Sequence, residues 1–431
     1  MYNNLSNDFK RIMMLPSQIR RLSGTIDGTP ISPKNILQES TKISNQCSDN
    51  SDIMIGQVYI GQLNIILRGL NIPRGSYKGR EIVLYEGLEI DHERGIYEEV
   101  LLGHFFIDKP EWTFNGVECV CYDAMNNFDR SMSLSMTEGK IYDFVELACR
   151  RCHVTLGMTK QQIEALPNGN ITLEVYKEND MSSYRDLISW CAQTTGTNAT
   201  INRDGELIFK AYNMDVVYSF TAKDRIGRSS KYSDFSSFYT GISMVNIDAQ
   251  VTKYYGLDPD NGLVMNLGSN PLLQPIEGET EQELEVKRRR ILNAIAVLNY
   301  TPFKTRIHRP MVFDLMDVIQ ITGGLIGDET VTSCITKFEW TFMGGYNISC
   351  SGSDPALASA KSKTDKNLAG LMSSNAEIKE TVNETTQTVT EVQQTVTEVQ
   401  QEVENKITYG TEDLTPGSSY LKTGYIYLVY E

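Results

Sequence analysis

Cys149, Cys152 and His153 stand in the pattern C-x-x-C-H, inside the run "IYDFVELACRRCHVTLG". This is the c-type haem attachment pattern. Attachment needs an exposed, unfolded segment and normally follows export. Here Ile141, Phe144, Val145, Ala148 and Cys152 share one helical stripe. The opening "MYNNLSNDFKRIMMLPSQIRR" has no apolar stretch of signal-peptide length and no cleavage site. A half-buried helix end is therefore the expectation. Zinc would need two more ligands, and Cys191 on the neighbouring helix is the one obvious candidate.

Other chemistry is harder to assemble. The four histidines are His92, His104, His153 and His308, and there is no H-E-x-x-H, G-x-S-x-G or P-loop. Asp123 with Asp129, and Asp314 with Asp317, are spaced as acid–base carboxylate pairs could be, but they read better as turn and strand-end residues. "KRRR" at 287–290 could touch phosphate; it follows Glu279, Glu281, Glu283 and Glu285, so a charge-balanced helix face is expected. The expectation is a chain that is not an enzyme, with no catalytic, cofactor-binding or metal-ligating residue.

The elements that would position these side chains are mostly strands. "GQLNIILRGL", "REIVLYEGLEI" and "EEVLLGHFFIDKPEWT" are strand-like. "GVECVCYDAM" alternates, with Val117, Cys119 and Cys121 on one face. Closely spaced strands with Gly and Pro turns suggest a barrel or sandwich over 1–135. An α+β segment follows over 136–235. It has helices at "IYDFVELACRRC" and "MTKQQIEALP", and another capped by Ser182 or Ser183 and stopped at Gly196. A hairpin then turns at Asn202–Gly205. Strands return over 236–353, interrupted by the charged helix "ETEQELEVKRRRILNAIAVLNY". The residues 354–367 form a small polar linker. The class is α+β, rich in β-structure.

The eight cysteines show no disulfide-framework spacing, so reduced thiols are expected. No run reaches 18 apolar residues. The net charge of −15 lacks the basic clusters that nucleic-acid binding uses, and a trimer would carry 3 × −15 = −45.

Over 368–407 the pattern changes. "TVTEVQQTVTEVQQEVE" writes a seven-residue unit twice and begins it again. Leu371, Ile378, Val382, Val389, Val392, Val396, Val399 and Val403 fall at positions a and d of a heptad frame, shared with Leu368, Asn375 and Thr385. A strand would throw these residues onto both faces. The threonines between them are poor helix formers, so a lone helix gains little; each buried Val or Leu returns roughly 1.5–3 kcal/mol only against a partner. β-branched residues at both seam positions favour a trimer over a dimer. These eight side chains are the expected trimer interface. After the rod, 408–431 holds two short strands around Pro416-Gly417, read as a C-terminal β-hairpin.

Five segments in this order resemble the tail-associated hub proteins of tailed phages and prophages of Gram-positive bacteria. They are "ISPKNILQESTKISNQCSDNSDIMIGQVYIGQLNIILRG", "GHFFIDKPEWTFNGVECVCYDAMNNFD", "SYRDLISWCAQTTGTNATINRDGEL", "GLVMNLGSNPLL" and "YGTEDLTPGSSYLKTGYIYLVYE". The resemblance implies two tail-tube-like β-barrel domains flanking the α+β insert. Through them a homotrimer would cap the hexameric tail tube at the tip or baseplate, and the coiled coil would project from it. It implies a virion location after assembly in the host cytoplasm. The implied partners are the tail tube or distal tail protein ring, the tape-measure protein and receptor-binding proteins. Viral DNA would pass at ejection without specific binding, and contact with the host cell surface would serve attachment.

Longer members of that family continue into a peptidoglycan hydrolase or a receptor-binding domain, so no lytic activity carries over to this chain. "FDLMDVIQI" places Met316 where a glycine is expected before Asp317, which implies a different turn. Three rival readings are a receptor-binding or adhesin-type fibre protein, the hub of a contractile bacteriocin-like particle, and a redox protein using Cys149, Cys152 and His153.

Overall fold

The computed structural model describes residues 5–48, 52–132, 136–176, 181–221, 224–225, 230–246, 251–256, 262–275, 279–323, 329–355, 406–410, 412, 414–415 and 425–429. The chain divides into two compact units, Met1–Lys361 and Ser362–Glu431.

Local chemistry builds the helices where the pattern expects them. Ser183 caps Tyr184–Thr194: its hydroxyl accepts the Asp186 N–H, while the Asp186 carboxylate accepts the Ser183 N–H. Thr280 and Glu283 make the same reciprocal cap on Glu281–Ile295. Such caps satisfy N–H groups that a helix start leaves without partners, each contributing about 1 kcal/mol. The helix Ile141–Cys152 ends at His153, which adopts a left-handed conformation at φ 56°. The strands Thr197–Ile201 and Leu207–Ala211 pair in register about the expected turn.

The main sheet has eleven strands. Their spatial order is Lys231–Tyr232, Phe303–Ile307, Gly345–Cys350, Lys337–Thr341, Lys42–Gln46, Gln62–Leu67, Gly116–Tyr122, Ile96–Thr113, Glu81–Asp91, Arg20–Ile26 and Thr29–Ile31. All neighbours are antiparallel. Alternation decides which side is buried: Val117, Cys119 and Cys121 face the core while Glu118 faces out.

This sheet corrects the expectation of two closed barrels. Its path is open, running from Lys231–Tyr232 to Thr29–Ile31, and no closed barrel forms among the described residues. A strand has two hydrogen-bonding edges. Lys42–Gln46 uses one on Gln62–Leu67 and the other on Lys337–Thr341, with Ser44 opposite Glu339. The strand that could have closed an amino-terminal barrel instead joins the two β-regions. One apolar core accordingly contains Leu22, Leu63, Ile82 and Cys121 together with Ile307, Phe313, Trp340 and Ile348.

Two smaller sheets complete the second β-region. Val216–Phe220 runs parallel to Val318–Thr322, which pairs antiparallel with Thr330–Cys334. Ser237–Asn246 carries Val251–Gly256, Leu263–Asn266 and Asn299–Tyr300. The α+β segment has its own core, built on Phe144, Cys152, Leu187, Cys191 and Leu207.

In the second unit, Ile407–Gly410 and Ile426–Val429 pair in parallel. This corrects the C-terminal hairpin. A tight turn reverses the chain and gives antiparallel neighbours, whereas parallel neighbours need a longer crossover. Here 15 residues, 411–425, separate the strands. Leu371, Ile378, Val382, Val389, Val392, Val396, Val399 and Val403, and the Pro416-Gly417 turn, lie outside the described residues.

Candidate functional site

The C-x-x-C-H residues do not form an open site. Cys149 and Cys152 are buried in the core of the α+β segment, as is Cys191. Burial pushes the Cys149 thiol up to about 12, and raises that of Cys152 as well. A thiol held neutral is a poor nucleophile and a poor metal ligand. His153 is exposed at the helix end. Among the described residues no group of three or more His, Cys, Asp or Glu is arranged to hold a metal ion.

"KRRR" is absorbed by structure. Lys287 pairs with Glu279, and Arg289 with Glu285 one helical turn away at 2.6 Å. Arg288 is buried, and Arg290 reaches Asn168 at 3.5 Å.

Two of the four singled-out carboxylates share a site. Asp123 and Asp314 line a cavity of about 330 Å³ beside the Thr197–Ala211 hairpin, together with His104, Arg203 and Lys210, and Asp317 joins them through Lys210 at 3.2 Å. Asp129 lies apart, paired with Arg185 at 2.7 Å.

Arg203, at the hairpin turn, fills the space between this hairpin and the segment 311–317. Its Nε donates to Asp314 Oδ1 at 2.7 Å. Its other nitrogens donate to the carbonyls of Leu101 at 2.9 Å, Met311 at 2.7 Å and Phe313 at 3.1 Å. Lys210 Nζ donates to the Leu315 carbonyl at 2.6 Å and to Asp317 Oδ1 at 3.2 Å. Asp317 Oδ2 in turn accepts the Asp314 N–H. From the sheet side, Glu86 Oε2 accepts the Met311 N–H at 2.8 Å, and Glu86 pairs with the equally buried Arg20 at 3.1 Å. Burial raises the Glu86 carboxyl despite that partner. Burial also acts to raise Asp314, but Arg203 beside it prevails and holds it below the usual carboxylate range.

Asp123 differs because it makes no ion pair among the described residues. Its Oδ2 accepts the Gly61 N–H at 2.8 Å and its Oδ1 the Met125 N–H at 3.0 Å. Burial outweighs both donors and pushes the carboxyl up to about 7. A Cβ on Gly61 would lie 2.5 Å from that oxygen, so the close approach requires glycine.

Met316 sits at a turn of unusual backbone conformation. It adopts φ 65°, the left-handed region where glycine is favoured, and its N–H donates to the Ile335 carbonyl at 2.7 Å. Its side chain is buried.

The cations hold backbone carbonyls and carboxylates together. Sequence reading found the carboxylates and missed Arg203 and Lys210, since a cation in a hairpin ordinarily points to water. The one available signal was an arginine at a turn whose other members, Asn202, Asp204 and Gly205, are all turn formers.

No family model matches this chain, and no curated protein matches it. Among solved structures it is similar to a prophage tail protein from Shewanella oneidensis, with 10% identity, TM-score 0.44 and coverage of 77% of this chain and 96% of that one. It is similar also to a tail protein from Neisseria meningitidis, with 10% identity, TM-score 0.49 and coverage of 79% and 99%. An Escherichia coli component of the type VI secretion system, described as structurally similar to bacteriophage tail proteins, aligns at 9% identity and TM-score 0.34 over 79% and 78%. Its structural neighbours are thus phage tail and secretion-system proteins.

Proposed function

We propose that this chain is a structural subunit of a phage tail tip, a hub without enzymatic activity that works as a homotrimer at the end of the tail tube. One observation carries the tail role: five segments similar to the tail-associated hub family occur in that family's order from Ile31 to Glu431. The trimer rests on the heptad stripe from Leu371 to Val403, whose apolar side chains need partner helices to leave water. The mechanical character of the Arg203 seam fits a structural role: one side chain with four acceptors ties the α+β segment to the main sheet at Leu101 and to the segment 311–314.

In this reading three copies surround the tail axis and adapt the tube to the tip. The acidic balance of the chain suits a passage through which DNA moves at ejection, since like charge on the wall prevents adhesion. Tube or distal-ring subunits are the neighbours it would contact.

Sedimentation equilibrium of the full chain tests the assembly state. A trimer at micromolar concentration is expected; a stable monomer would overturn it. Labelling the chain in assembled particles and imaging them tests the tail role, with density expected at the distal end of the tube.

A further inference from the structure

The strands Ile96–Thr113 and Gly116–Tyr122 form a hairpin of the main sheet, closed by Phe114-Asn115 between the paired Thr113 and Gly116. Phe114 is fully exposed and Trp112 is 56% exposed. Turn chemistry gives no reason for a phenylalanine at this position, where Asn, Asp or Gly is favoured. Trp112 stands edge-on against the buried Tyr77, ring centroids 5.9 Å apart, so its place is fixed before any partner arrives.

The ground around this tip is basic, against the acidic balance of the whole chain. The segment 68–80 holds Arg68, Arg74, Lys78 and Arg80 and no acidic residue. Lys78 and Arg80 are paired with Asp108 and Asp27. Arg68 packs beside Gly116 at the hairpin end and donates to the Lys34 carbonyl, which brings the exposed Lys34 alongside. Arg68, Arg74 and Lys34 make no ion pair with a carboxylate among the described residues. Glu111 and Glu118 sit opposite one another, one step along each strand from the Trp112–Val117 pair, and so lie on the other face.

We propose that this hairpin tip is a membrane-docking element that inserts Phe114 and Trp112 into the interface of a bilayer bearing anionic lipids. The inference is separate from the tail role and does not depend on it. The order of side chains matches the order of layers in a bilayer surface. An apolar ring with no intramolecular contact leads. An amphipathic indole follows at headgroup level, where tryptophan is favoured. Arg68 beside Gly116, with Lys34 next to it, supplies cations behind the tip to meet the lipid phosphates. Charge complementarity selects an anionic surface, since each basic group near such a leaflet contributes on the order of 1 kcal/mol.

Tryptophan emission tests the proposal on the full chain. Trp112 is the exposed tryptophan; Trp340 is fully buried and Trp190 half-buried. Vesicles of phosphatidylcholine with phosphatidylglycerol should shift the emission to the blue, and bromine on the acyl chains should quench it. Pure phosphatidylcholine should do so far less. Phe114→Ser, which changes a side chain without internal contacts and so leaves the fold intact, should weaken binding about tenfold or more. Arg68→Gln with Arg74→Gln should weaken it by a further several-fold and remove the preference for anionic vesicles. Emission unchanged by either vesicle overturns the proposal, as does F114S binding like the parent. So does quenching by a single-stranded oligonucleotide with no response to vesicles, which would make the tip a base-stacking site instead.

Discussion

Arg203 Nε lies 2.7 Å from Asp314 Oδ1, joining residues 111 positions apart across the boundary between the α+β segment and the second β-region. The same guanidinium satisfies three backbone carbonyls in Leu101, Met311 and Phe313. A planar fork with five donors suits four acceptors in a way a point charge does not.

Arg203→Ala should therefore destabilise the protein by about 3 kcal/mol, since it deprives buried acceptors of donors as well as breaking an ion pair. Arg203→Lys should recover a minority of that loss. Urea denaturation of the two variants checks this; equal stability of R203K and the parent would show that charge alone suffices.

Asp123 predicts a pH dependence of defined sign. Its carboxyl titrates near 7 in the folded chain, raised chiefly by burial, against 3.8 as the ordinary value. Between these values the folded state holds a proton that the unfolded state has released, so this group's contribution is full below about pH 4 and is lost as pH rises through 7. The loss is roughly 4 kcal/mol over that interval. Asp123→Asn should flatten this part of the profile. Denaturation midpoints measured from pH 4 to 8 in both proteins decide the matter, and parallel profiles would contradict it.

The eight cysteines are all free and all buried. Burial raises the thiols of Cys47 and Cys119 to about 12, and raises those of Cys121 and Cys191 as well. A thiol-specific reagent should thus label essentially none in the native protein at pH 8 and eight per chain in denaturant. Rapid native labelling of Cys149 or Cys152 would revive a chemical role for C-x-x-C-H.

These tests separate what the residues announce locally from what they do not. The caps at Ser183 and Thr280, the turn at Asn202–Gly205 and the alternation of Val117, Cys119 and Cys121 are legible because each signal lies within a few residues. The pairing of Lys42–Gln46 with Lys337–Thr341 is not, because a strand's pattern specifies which face is buried and leaves its distant neighbour open. The same limit hid the open sheet and the parallel pair at the carboxyl end. At the seam, Asp314 and Asp317 stand out as acids, but nothing beside them in the chain names Arg203 and Lys210.

Met316→Gly would relax a backbone held at φ 65°, a gain of about 1–2 kcal/mol, while deleting a buried side chain at a loss of about 2–5 kcal/mol. A net destabilisation of up to about 4 kcal/mol, centred on about 2, is expected by thermal or urea melting. A more stable glycine variant would mean that backbone strain outweighs packing at this turn.

Val392→Glu combined with Val399→Glu places charges at two d positions of the heptad frame. The full chain should then sediment as a monomer. A persisting trimer would locate the association outside the stripe.

Ser44 and Glu339 are partners 295 residues apart, which constrains how the chain can be made. During synthesis, strand Lys42–Gln46 leaves the ribosome long before its partner exists. Until Lys337–Thr341 emerges, one edge of the growing sheet stays bare, able to pair with any nascent neighbour. Maturation must wait for a late, long loop closure, so folding is slow. A chaperone or a low expression temperature should matter more to its yield than to the endurance of the finished protein.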